Sequence, residues 1–136
     1  MTWNLEYRDD LEIVVLTYSG KVCGTDIKEA ASARIDMGKQ KGITRFLIDT
    51  REIEVDESAT MSIYELPTSI YPDEENGRIS RIAIIGPKSS ESKTMVRFFE
   101  NACVNRGWLV NTFQDYESAI EWLGPSPSRQ ETERDK

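Results

Sequence analysis

Histidine is absent from all 136 residues of the chain. That absence removes Ser-His-Asp and Cys-His triads, the usual zinc sites and the commonest acid/base group near neutral pH. Cysteine occurs only as Cys23 and Cys103. The two are too far apart for a paired metal motif or a C-x-x-C redox pair, so both are expected as reduced, packed thiols. No apolar run reaches the roughly 18 residues that a membrane-spanning helix needs. Met1-Thr2-Trp3-Asn4 lacks a basic-then-apolar signal pattern, and a cytoplasmic location is the expectation. Positive charge is also short, with 17 Lys and Arg against 24 Asp and Glu and a formal net charge of −7. The deficit disfavours nucleic acid and anionic membrane surfaces, which need clustered cations. It favours a partner protein that presents a cationic face.

What is present suffices for one domain, since 38% of the residues are hydrophobic. Trp3 to Arg8 and Leu11 to Tyr18, separated by Asp9-Asp10, predict a two-stranded hairpin. The period then turns helical. Asp26 is the expected N-cap with Glu29 three residues on, Ile27, Ala30, Ala31 and Ile35 form one stripe, and Gly38 or Gly42 ends the helix. Ile43 to Thr50 reads as a buried strand ending in Asp49-Thr50-Arg51. A second helix near Glu57, with Ala59, Ile63 and Leu66 as its stripe, is stopped by Pro67. Ile79 to Ile85 is a buried strand. The third helix follows, with Met95, Phe98, Phe99, Ala102 and Cys103 on one face. Trp108 to Phe113 is the last strand, and Asp115 caps a short helix ended by Gly124-Pro125.

The expected fold is therefore α/β, a single domain over residues 1–124 in the order ββαβαβαβα. Its five-stranded sheet is mostly parallel with an antiparallel N-terminal edge strand, and it carries four helices. Residues 125–136 lack the apolar content to order and are expected to be a disordered tail. Functional groups in such sheets gather at the carboxyl ends of the strands.

Several motifs bear on chemistry. Glu52, Glu54, Asp56 and Glu57 are read as solvated loop acids, because they lack the Asp-x-Asp-x-Asp-Gly spacing of a calcium loop. No metal or cofactor is expected. Gly86 to Thr94 lies between a strand and a helix and ends in Lys-Thr. However, Pro87 and Ser92 occupy both glycine positions of G-x-x-x-x-G-K-[ST], so nucleotide hydrolysis is not expected. Ser89, Ser90 and Lys93 are at most a single-anion site at a helix start, and plain capping is the competing reading. Tyr64, Ile70 and Tyr71 flank the Pro67 break and are the candidate lining of an apolar pocket. Arg51 and Arg81 are expected to pair with local acids.

Phe46-Leu47-Ile48-Asp49-Thr50-Arg51, Arg81-Ile82-Ala83-Ile84-Ile85, Phe98-Phe99-Glu100-Asn101-Ala102, Asn105-Arg106-Gly107 and Ala119-Ile120-Glu121-Trp122-Leu123, taken in this element order, resemble the SpoIIAA-like (STAS-like) superfamily. More narrowly, the chain resembles bacterial proteins labelled STAS/SEC14 domain-containing. The resemblance spans Trp3 to Leu123 and implies a binding protein rather than an enzyme. The wider group includes anti-sigma-factor antagonists, which dock on a partner kinase and are switched by phosphorylation of a serine at the start of the second helix. It also includes folds that hold lipid-like ligands. In the antagonists the strand aspartate is followed at fixed spacing by Asp-Ser-Ser-Gly. Here Glu57-Ser58-Ala59-Thr60 follows Asp49 at that spacing, which puts Ala59 at the acceptor position with Ser58 and Thr60 as shifted acceptors.

Two readings follow. In the first, Asp49, Arg51, Glu57, Ser58 and Thr60 form the face of a regulatory or protein-interaction module. In the second, the protein is a carrier or sensor of a small ligand, bound near the second helix. The exposed first strand is also a candidate for self-pairing into a homodimer.

Overall fold

The computed structural model describes residues 2–55, 81–88, 90–105 and 109–124. Its elements are β1 (Trp3–Arg8), β2 (Ile13–Val22), α1 (Gly24–Lys41), β3 (Arg45–Val55), β4 (Arg81–Ile85), α2 (Ser90–Asn105), β5 (Leu109–Phe113) and α3 (Tyr116–Leu123). One sheet runs β1-β2-β3-β4-β5. Its β1–β2 pair is antiparallel and the other three pairs are parallel, so the expected α/β architecture holds. Three helices stand among the described residues rather than four. The helix expected near Glu57, Trp108 and the tail all lie outside the described residues.

The pleat divides the core. Val14, Leu16, Phe46, Ile48, Ile82, Ile84 and Val110 point to the face covered by α1 and α2, where Ile27, Ala30, Ala31, Val96 and Phe99 meet them. Ile13, Leu47, Ala83 and Ile85 point to the other face, against Ala119 and Leu123 of α3. Strands buried on both faces read as unbroken apolar runs, as Ile82 to Ile85 of β4 does. Each fully buried Ile or Leu here contributes about 1.5–3 kcal/mol.

Several expectations need correction. The N-cap of α1 is Cys23, not Asp26. Asp26 occupies the third helical position and accepts the Cys23 N–H at 3.2 Å from there. That hydrogen bond, followed by one from the Thr2 side chain, holds the Asp26 carboxyl below the usual range. Gly42 ends the helix at φ 67°, the left-handed conformation that glycine adopts without strain. Phe98, expected in the core, is 45% exposed, while its neighbour Phe99 is buried. The residue C-terminal to it, one position round the helix, takes the inward place. Arg81 donates to the Trp122 carbonyl at 3.0 Å and lies over the Trp122 ring, rather than closing on a local acid.

Two arginines not expected inside are buried. Arg34 on α1 is 1% exposed and stacks over the Phe46 ring at 4.7 Å. Arg45, at the start of β3, donates to the carbonyls of Leu123 at 3.1 Å, Leu11 at 2.7 Å and Gly124. Burial lowers its pKa, with Glu12 opposing, and the guanidinium remains charged. Arg45 and Arg81 thus take three successive carbonyls at the C-terminus of α3, the end of a helix that favours cations.

Candidate functional site

The carboxyl end of β3 is shaped by a bulge. Thr17 pairs with Asp49 and Ser19 with Glu52, so β3 advances three residues where β2 advances two. The extra residue reverses the alternation. Ile48 and Ile53 share one core cluster although they are an odd number of positions apart. Polar Asp49-Thr50-Arg51 therefore does not end the strand, as the sequence suggests; it is the bulge within it. Such bulges re-aim side chains and are frequent beside functional sites.

At the bulge, Arg51 folds back on Asp49. Its Nη2 and Nε donate to the carboxylate at 2.8 and 3.1 Å, and its backbone N–H adds a third bond at 3.1 Å. Burial pulls the Asp49 carboxyl up, but the bonds and charge of Arg51 together outweigh it, leaving the pKa below the ordinary value. The same pair raises Arg51. Buried Thr50 donates its hydroxyl to the Ile85 carbonyl at 2.6 Å, tying the bulge to the last residue of β4. Glu52 and Glu54, expected in a loop, are strand residues, and Glu52 accepts from Lys88 at 2.9 Å.

Beside this rim, the β4–α2 turn, α2 and the end of β5 border an open cleft of about 540 Å³ whose described lining includes Arg51, Lys88, Lys93, Arg97, Glu100 and Phe113. Gly86 closes its base, donating to the Phe113 carbonyl at 2.8 Å. A Cβ at that position would lie 3.3 Å from Thr112 Cγ2. The Thr112 hydroxyl donates to Glu100 at 2.8 Å and so engages the one acid of the described lining.

The structure thus brings Asp49, Arg51 and Lys93 to one end of the sheet. Glu57, Ser58, Thr60, Tyr64, Ile70, Tyr71 and Ser89 lie outside the described residues, as does the side chain of Ser90, the first residue of α2. Sequence reasoning missed Lys88, Arg97 and Glu100. Lys93 and Arg97 stand four apart on a helix and so share a face, and that spacing was the available signal.

A mixed five-stranded sheet with an antiparallel edge, with two helices on one face and one on the other among the described residues, and polar groups at the carboxyl ends of its strands, defines an α/β module of STAS-like type. A family model described as SpoIIAA-like matches residues 13–124, and the chain belongs to that family. An uncharacterized protein of the DUF3478 family with a SpoIIAA-like fold, from Shewanella loihica PV-4, is similar at TM-score 0.56 and 20% identity. The match covers 89% of this chain and 91% of that one. The anti-sigma factor antagonist SpoIIAA in its unphosphorylated form is similar at TM-score 0.54 and 17% identity, covering 89% of this chain and 96% of that one. No curated protein matches the chain.

Proposed function

We propose that the protein is a non-catalytic regulatory module that docks on a partner protein through the rim at the carboxyl ends of β3 and β4. The observation that supports this most directly is the closed Asp49–Arg51 pair on the β3 bulge, next to Lys88–Glu52. A carboxylate kept ionised by its own arginine is a poor proton carrier near neutral pH. Paired charges at a surface serve instead to orient and select a partner. The fold shared with an anti-sigma factor antagonist is in keeping with a protein partner. Ser58 and Thr60 complete the proposed face as shifted phosphoacceptors. A phosphate on either would add about two negative charges to that proposed face.

The test is a pull-down from native lysate with the tagged full chain, comparing wild type, Asp49→Ala and Ser58→Glu by quantitative mass spectrometry. A stoichiometric partner lost from both variants, with unchanged circular dichroism, is expected. Retention of the same partner by both variants overturns the face.

A second reading, a small-ligand carrier or sensor, is favoured by the 540 Å³ cleft, which is of the size of ligand sites, although its described lining is not the Tyr64, Ile70 and Tyr71 set expected from the sequence. An organic molecule co-purifying with the protein is its expected signature, and native mass spectrometry that finds only the bare chain counts against it. Self-pairing through the edge strand β1 predicts a dimer, and a monomer by light scattering rejects it.

A further inference from the structure

The charge of the cleft runs against the charge of the molecule. In a chain of net charge −7, four cations converge on one concavity from three elements: Arg51 from β3, Lys88 from the β4–α2 turn, and Lys93 and Arg97 from α2. Glu100 is the one carboxylate in the described lining. Arg51 and Lys88 each already hold an acid outside the lining. Lys93 and Arg97 are exposed and make no ion pair with any described residue. Two like charges one turn apart on a helix repel each other. An anion between them would relieve that cost.

We propose that this cleft binds a small organic phosphomonoester, with Lys93 and Arg97 as its principal contacts and Arg51 and Lys88 completing the cationic wall. A phosphomonoester carries close to two negative charges and three acceptor oxygens, enough to engage donors arriving from separate elements. A carboxylate matches one arginine fork and leaves the remaining cations unanswered. Pro87, Val96 and Phe113 line the same space and supply apolar surface for an organic body, and the volume exceeds what a bare phosphate fills. A metal ion is disfavoured by the four cations. Nucleic acid is disfavoured by the acidity of the rest of the surface. The inference stands whether or not the Asp49 rim docks a protein, because Lys93 and Arg97 are not part of that pair.

The test uses the full chain, labelled with ¹⁵N, and titrates phenyl phosphate, inorganic phosphate and benzoate at near-physiological salt. The expected result is saturable binding of phenyl phosphate with amide shifts at Gly86, Lys88, Thr112 and Gln114, about tenfold tighter than inorganic phosphate and than benzoate. Lys93→Gln and Arg97→Gln should each weaken phenyl phosphate by about tenfold without lowering Tm. Lys39→Gln, in the last turn of α1, should leave it unchanged. Shifts centred elsewhere, or equal weakening by the Lys39 variant, overturn the site. Equal affinity for benzoate overturns the phosphate class, and equal affinity for inorganic phosphate overturns the organic body.

Discussion

Ile48 and Ile53 face the same core from one strand, although strict alternation would put them on opposite faces. The residue added between Asp49 and Glu52 accounts for it.

The bulge predicts which side chain near the strand end is structural. Ile53→Ala should cost about 2–4 kcal/mol by urea unfolding, whereas Glu54→Ala should stay within about 0.5 kcal/mol. A regular strand would reverse the two costs, so the comparison tests the bulge itself.

The Asp49–Arg51 pair predicts a pH dependence. Asp49 has a lowered folded-state pKa, so its contribution is fully present above the unfolded carboxyl value, about 3.9. It is lost as pH falls through the lower folded value. Asp49→Asn should therefore be less stable than wild type at pH 7, and the gap should close as the pH is taken below about 4. A gap constant from pH 7 to pH 2 would show that the carboxylate charge is irrelevant.

Arg45→Met should cost about 2–4 kcal/mol, because it keeps the stem but strands three carbonyls that the guanidinium serves. Amide exchange in α3 should quicken more than in α1. Uniform acceleration would mean that the arginine stabilises the fold without gripping α3.

Gly38→Ala should destabilise by about 1–2 kcal/mol despite the higher helix propensity of alanine. The new Cβ would come within 2.8 Å of Phe46 Cζ and 3.1 Å of the Ile43 carbonyl oxygen. Adding Phe46→Leu should cost less in the Gly38→Ala background than in wild type, a coupling that a double-mutant cycle reads directly.

The five strands and the helices α1, α2 and α3 were legible because their apolar periods are local properties of the chain. The Asp115 cap of α3 was legible for the same reason, and its carboxylate accepts the Ser118 N–H at 2.7 Å. The Asp49–Arg51 pair was visible as two opposite charges two residues apart. The bulge was not, since it is defined by what β2 does opposite β3. Cys23 as a cap was hidden by its weak capping preference, and Arg34 and Arg45 by the general rule that arginine stays outside. The cleft was hidden because residues 51, 88, 93 and 97 meet only after the sheet is assembled.

Arg45 joins the turn after β1 to the last helix through a residue at the start of β3. Its partners lie 34, 78 and 79 positions away along the chain, so the turn after the first described strand and the last described helix are both fastened to one central strand. Departure of α3 would therefore strip this buried guanidinium of two of its three carbonyl partners, a desolvated loss that adds to the apolar contacts holding the helix down.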